Sequence, residues 1–316
     1  MQLIHPVTLK KIELKDVKKV YGVEGEVFDL YQSDDSKITE IQSNFYSTVR
    51  FPSYENKESF AHILDKAKKS LWLKKLDEEI PFGAIVLEAG CGTGQLSIAL
   101  SRFNRSIHAI DISVGSLITA SSFIVRNHIK NVNLYRMNIH KMAFENEIFD
   151  IIISNGVIHH MKNPYLAFRD LIKKLKKGGY IILGLYHKYS RLFHYFRRFL
   201  VNNFGLSKNL LDPRFKQITS EEKISSWFLD QYKNPHESSH TFNEVISWFQ
   251  KNNIEVINCL PFDFDVNQKI LHKNIDSQIY EYRKNKFFLF LKELSAIFNY
   301  QQIMDGGFFV VIGKKN

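Results

Sequence analysis

The sequence predicts a doubly wound α/β fold around a mostly parallel sheet, on three observations. An apolar run, Ile85-Val86-Leu87, ends in an acid and enters a glycine-rich turn, Glu88-Ala89-Gly90-Cys91-Gly92-Thr93-Gly94-Gln95. A second run, Ile107-His108-Ala109-Ile110, ends in Asp111 about 20 residues past the first glycine, the spacing of a ribose-hydroxyl acceptor in nucleotide-binding folds. Strand-like and helix-like stretches then alternate along most of the chain, as βα units do around a parallel sheet.

The first strand and turn set the chemistry. Glycine at 90, 92 and 94 lets the backbone turn tightly and approach a ligand, and amides opening the following helix favour an anion. Glu88 would be poorly matched to a pyrophosphate. An amino acid moiety instead offers an ammonium for Glu88 and a carboxylate for the amides, and the methionine end of S-adenosylmethionine is such a moiety. Asp111 would take its ribose hydroxyls. Cys91, inside the loop, reads as a small residue filling tight space. With these residues the chain resembles the class I S-adenosylmethionine-dependent methyltransferases, whose first motif reads E/D-x-G-x-G-x-G and whose second ends a strand with an acid. The resemblance implies S-adenosylmethionine as cofactor and a seven-stranded sheet with an antiparallel last strand. It also places Ile112, beside Asp111, in the cofactor site.

The remaining elements follow in order. Val132 to Ile139 looks like the family's third strand, which usually closes with Gly-Asp over the adenine amino group; here the pair is Met137-Asn138. The resemblance therefore puts Asn138 and Ile139 at the adenine, with the Asn138 side-chain oxygen accepting from the adenine amine. Phe149 to Asn155 is similar to the fourth strand, its far end, Asn155 through His160, facing the methyl group. Asn163 then reads as an N-cap with Pro164 at the first helical position, and Leu166, Phe168, Leu171, Ile172 and Leu175 define a helix face ending at Gly178-Gly179. Tyr180 to Leu185 is the fifth strand. A helix over Thr241 to Asn252 precedes a strand at Ile254 to Ile257, and Gly306 to Ile312 supplies the last strand.

Two additions surround this core, which spans 57–316. Residues 1–56 mix short apolar runs with lysines and predict a hairpin or helical arm, whose aromatics Phe45, Tyr46, Phe51 and Tyr54 are placed to act as a lid. Residues 187–240 predict a helical cap inserted after the fifth strand. Its first part interleaves basic and aromatic residues, Lys188, Tyr189, Arg191, Phe193, Tyr195, Phe196, Arg197 and Arg198, which suits a substrate pocket, a stacked nucleic acid strand or an anionic membrane.

Composition narrows the class. The 316 residues carry 43 Lys plus Arg against 33 Asp plus Glu, a formal charge of +10 that attracts anionic partners. Two cysteines are too few for a disulfide framework, and no segment reads as a signal peptide or bilayer span, so a cytoplasmic protein is expected. His236-Glu237-Ser238-Ser239-His240 matches a zinc-protease pattern, but Pro235 and the serines disfavour the helix that would converge both histidines, so no metal is expected.

Methyl transfer needs positioning more than side-chain chemistry, with a base only for a protonated acceptor. His159, His160, His187 and His236 are the candidates for that base, and Tyr186 is placed to orient a hydroxyl. The preferred reading is methyl transfer to a small-molecule or lipid-like acceptor, since no Asn-Pro-Pro-Tyr pattern of base-amine methylation follows the fourth strand and no RNA-binding module is present. Two alternatives stay open: a noncatalytic protein binding RNA or membrane through the basic insertion, and a nicotinamide-dependent oxidoreductase using the same loop.

Overall fold

The computed structural model describes residues 2–21, 25–52, 54, 59–205, 212, 221–260, 269–272, 285–295 and 307–316. Ser53 and Asn56, in the predicted arm, Gly306, at the predicted start of the last strand, and most of 206–220 in the cap lie outside them. The N-terminal part contains β1 (Leu3–Ile4), β2 (Lys11–Ile12), β3 (Lys19–Tyr21), β4 (Glu26–Asp29), α1 (Lys37–Thr48), α2 (Phe60–Lys69) and α3 (Leu71–Glu79). The core continues with β5 (Ile85–Ala89), α4 (Gln95–Leu100), β6 (Ser106–Asp111), α5 (Val114–Arg126), β7 (Val132–Arg136), β8 (Phe149–Asn155), α6 (Pro164–Lys174) and β9 (Leu175–Tyr186). The cap and last strands are α7 (Leu192–Phe204), α8 (Glu221–Phe228), α9 (Phe242–Lys251), β10 (Ile254–Leu260), α10 (Lys286–Ser295) and β11 (Phe308–Lys315).

The predicted seven strands are all present and lie in the order β10-β11-β9-β8-β5-β6-β7. β5, β6, β7, β8 and β9 pair in parallel, and β11 is antiparallel to both its neighbours, as expected. The strand count is corrected upward. β4 adds in parallel to β7 and β3 antiparallel to β4, giving a nine-stranded sheet. Part of the predicted arm is thus sheet, because it satisfies the backbone of an otherwise open β7 edge.

Both sheet faces are covered. One carries Leu87, Ile110, Ile152 and Leu183 against Phe168 and Leu171 of α6 and Val245 and Phe249 of α9. The other carries Val86, Ile107, Ile151 and Val310 against Ile63 of α2, Leu76 of α3, Ile98 of α4 and Leu117 of α5. Strands buried on both faces read as continuous apolar runs, which is why they were recognisable. α6 starts where predicted, the Asn163 side chain accepting from the Leu166 amide at 3.1 Å. It ends at Lys174, short of Gly178-Gly179, because Leu175 pairs with Phe149 and begins β9, and Ala167 is buried where Leu166 is exposed. α9 is capped by Thr241, whose hydroxyl accepts from the Glu244 amide at 3.1 Å.

Candidate active site

At the carboxyl ends of β5, β6 and β8, where open α/β sheets bind ligands, lies a cavity of about 550 Å³. Of the sequence-predicted site residues, Glu88, Gly90, Cys91, Gly92, Asp111, Ile112, Asn138, Ile139, Asn155 and Tyr186 line it. Gly94, His159 and His236 do not.

The glycine loop makes the tight turn expected of it and is held by its own amides. The Gly90 and Cys91 amides donate to the Ile110 carbonyl at 2.8 and 3.0 Å, the Gly94 amide to the Cys91 carbonyl at 2.8 Å, and the Gly92 amide to Asp111 Oδ2 at 2.8 Å. These four amides are bonded within the protein and are not the ones on which the anion expectation rests, which are the amides opening α4. The loop also contributes space: Gly92 has φ of 53°, and a Cβ there would meet the Phe51 carbonyl oxygen at 2.4 Å. Gly94, at φ 79°, packs beside Ala120 as the N-cap of α4.

Two carboxylates border this half. Glu88 is buried and accepts from the Ser97 hydroxyl, and burial pushes its pKa up to about 8. Asp111 Oδ1 accepts from the Ser113 amide at 2.8 Å, and burial raises this carboxyl too. The Asn138 oxygen accepts from the His140 amide at 2.9 Å, as a cap for the turn Ile139–Lys141. The buried Nδ2 of the same side chain has no hydrogen-bond partner. Asn138 thus keeps one lone pair for the expected acceptor role and has an unpartnered donor beside it.

The other half is roofed by the N-terminal segment and the cap. Gln42 and Tyr46 of α1, together with Phe51 and Pro52, line the cavity, while the Thr93 hydroxyl donates to the Pro52 carbonyl at 2.6 Å and Tyr54 to the Thr93 carbonyl at 2.7 Å. A π-helical turn, Leu229–Lys233, brings Asp230 and Gln231 down from the cap, an irregularity common at functional sites. Tyr46 donates to Asp230 Oδ1 at 2.7 Å; Gln231 Nε2 donates to Asp230 Oδ2 at 2.9 Å and to the Tyr186 hydroxyl at 2.7 Å. Arg191 lies 3.7 Å from the Tyr186 ring centroid, donates to Gln231 Oε1 at 2.8 Å and grips both Glu237 oxygens at 2.7 and 2.9 Å. Gln42 Oε1 is buried without a partner, while its Nε2 donates to Asn234 and to the His236 carbonyl.

The histidines are rearranged relative to prediction. His160 lines the cavity, whereas His159 is fully buried behind it. The His160 Nδ1 proton goes to the His236 carbonyl at 2.8 Å, which leaves His160 Nε2 to accept from His159 Nε2 at 3.0 Å. Burial lowers the pKa of both rings, His159 well below its ordinary value. His236 is held outside the cavity, its Nδ1 donating to the His160 carbonyl at 3.1 Å. Residues 236–239 form no helix, and His240 Nδ1 is engaged by Glu244 at 3.0 Å. Among the described residues no cluster of His, Cys, Asp and Glu could hold a metal ion.

Sequence reasoning missed Gln42 and the contributions of Lys66, Ala67, Trp72 and Leu73 from α2 and α3. Nothing local marks these residues, because only tertiary packing brings them to the site.

A doubly wound sheet with this strand order, a glycine turn between two strand-end acids and a cavity at the strand ends defines a Rossmann-like, S-adenosylmethionine-dependent methyltransferase domain. The family described as "Methyltransferase domain" matches residues 82–255, and the chain belongs to it. Malonyl-[acyl-carrier protein] O-methyltransferase of Bacillus anthracis is 29% identical over 133 residues, 41% of this chain and 48% of that protein. Ribosomal protein L11 methyltransferase of Campylobacter concisus is 28% identical over 138 residues, 43% of each. The match spans less than half the length of these curated relatives. Among solved structures, geranyl diphosphate C-methyltransferase from Streptomyces coelicolor, in complex with S-adenosyl-L-homocysteine, shares the fold at a TM-score of 0.52 and 13% identity, covering 90% of this chain and 100% of its own.

Proposed function

We propose that this chain transfers a methyl group from S-adenosylmethionine to a hydroxyl or amine of a small-molecule or lipid-like acceptor in the cytoplasm. What carries this reading is one continuous cavity whose wall runs from Glu88, Asp111 and Asn138 to Tyr46, His160, Tyr186 and Asp230. Its volume falls in the roughly 300–1,000 Å³ range of small-ligand sites. The cofactor, when bound, supplies an electrophilic methyl group. Asn138 Nδ2 would donate to the adenine ring, Asp111 would take the ribose hydroxyls, and Glu88 would receive the ammonium. Glu88 and Asp111 suit an ammonium and a ribose, and a carboxylate at the foot of the glycine turn is poorly matched to the pyrophosphate a nicotinamide dinucleotide would bring.

On the acceptor side, elimination points to Asp230 as the base. Tyr46 and Tyr186 are held protonated by burial, and the His160 lone pair is occupied by His159. Each Asp230 oxygen accepts one hydrogen bond from the protein and retains a lone pair for an incoming proton. The unpartnered Gln42 Oε1 would accept from the same hydroxyl or amine, which orients the nucleophile toward the methyl group and keeps water away. The cytoplasmic location is supported by the two cysteines, both buried thiols. Among the described residues no helix is long and apolar enough to cross a membrane.

Radiolabelled S-adenosylmethionine incubated with fractionated small-molecule and lipid extracts tests the proposal. Label should enter a low-molecular-weight or lipid fraction with wild-type protein. Label entering only RNA or protein would contradict the acceptor class.

A further inference from the structure

The face of the cap turned away from the cavity is apolar. α7 exposes Leu192, Phe193, Phe196 and Phe199, with Phe196 61% accessible, while His194 and Val201 anchor its opposite side. These residues fall at i, i+1, i+4 and i+7, one stripe of a helix. α10 does the same with Phe287, Phe288 and Leu291 outward, and Leu289 and Glu293 inward; Glu293 accepts from the Asn243 amide at 3.0 Å. The stripes adjoin, because the Tyr189 ring at the start of α7 meets Phe290 of α10 edge-on, with centroids 6.0 Å apart. Soluble monomers rarely expose a contiguous apolar patch of this kind without using it.

Charge identifies what covers it. Residues 186–205 contain Lys188, Arg191, Arg197 and Arg198 and no Asp or Glu. Arg191 is neutralised by Glu237, whose carboxylate also lies 3.9 Å from Arg198, so one carboxylate faces two cations. Lys188 is exposed. The border is therefore cationic on a chain of formal charge +10. A second copy would bring like charge to like charge. Leu192 and Leu291 within the face offer no π-surface for stacked bases, which argues against single-stranded nucleic acid. An aromatic and aliphatic stripe bordered by cations fits the headgroup and acyl boundary of an anionic bilayer.

We propose that α7 and α10 together form an interfacial docking surface for an anionic phospholipid membrane. The cavity wall is the inner side of the same cap: His194 Nε2 donates to the Gln231 carbonyl at 3.0 Å, one residue from Asp230. Docking would thus hold the cap, with the cavity on its inner side, at the lipid surface. The proposal goes beyond the methyl-transfer reading, and its test does not depend on catalysis.

Cosedimentation of the full chain with phosphatidylcholine vesicles containing about 30 mol% phosphatidylglycerol provides the measurement. Binding should be strong on these vesicles and weaker on phosphatidylcholine alone, and should fall when salt near 1 M shortens the screening length to about 3 Å. The variant Phe193→Ser/Phe196→Ser/Phe199→Ser should bind at least about tenfold more weakly while keeping its melting temperature and S-adenosylhomocysteine affinity. Should that triple variant misfold, Phe196→Ser alone carries the same expectation with a smaller loss. Absence of wild-type binding, equal binding by a folded variant, or a wild-type dimer that the substitutions dissociate would each overturn the proposal.

Discussion

Glu88 concentrates the account at the residue scale. Its pKa of about 8 against an ordinary 4.5 means the empty folded protein holds a proton there that the unfolded chain releases above pH 4.5. That contribution to stability is complete below about 4.5 and is lost as pH rises through about 8, at about 1.4 kcal/mol per pH unit within the window. A ligand ammonium reverses the preference, so S-adenosylhomocysteine binding at pH 7 should expel up to one proton. Calorimetry in two buffers of different ionisation enthalpy should show it, and Glu88→Gln should abolish the buffer dependence. No dependence in wild type would remove Glu88 as the ammonium receptor. On the acceptor side, Asp230→Asn should lower kcat by about 10²–10⁴, the range of a lost general base, with cofactor affinity preserved; an unchanged kcat would exclude Asp230 from proton transfer. The acids of the cofactor half were readable in the sequence because each ends an apolar strand. Gln42 and Tyr46 were not readable as polar groups of the acceptor half, since their roles arise from contacts to residues 192 and 184 positions away.

At the scale of elements, the strands β5, β6, β8 and β11 were legible because burial on both faces leaves an uninterrupted apolar run. β3 and β4 were not, being three and four residues long with Lys19, Glu26 and Asp29 among them. The end of α6 was misplaced for a related reason: Leu175 has the right spacing for the helix face, but pairing with Phe149 claims it for the sheet. The glycine turn is the element whose geometry is most demanding. Gly92→Ala would force a side chain into φ of 53° and against the Phe51 carbonyl, where no flexible group can yield. A loss of more than about 1 kcal/mol is expected, together with weaker S-adenosylhomocysteine binding. Thermal melting and titration on the same preparation check both, and wild-type values in each would show that the N-terminal segment does not close over the loop as described.

Across the whole molecule, three stretches far apart in sequence converge on one chamber: the sheet core, the N-terminal segment and the cap. The core alone holds the two acids, and only the additions supply Tyr46, Phe51, Asp230 and Gln231. The fold and the two acids at the strand ends were therefore legible in motif and periodicity, whereas the facing wall depends on how the cap docks. The same cap separates a polar inner wall from an apolar outer face, which links the chemistry to a surface for the partner.

Titration of the full chain with S-adenosylhomocysteine, alongside Asp111→Ala and with NADH as the competing ligand, tests the central claim most directly. Wild type should bind one S-adenosylhomocysteine per chain and ignore NADH, and the folded variant should lose at least about 1.5 kcal/mol of affinity with the charged ribose contact. Tight binding of NADH alone, or undiminished S-adenosylhomocysteine affinity in the folded variant, would contradict it.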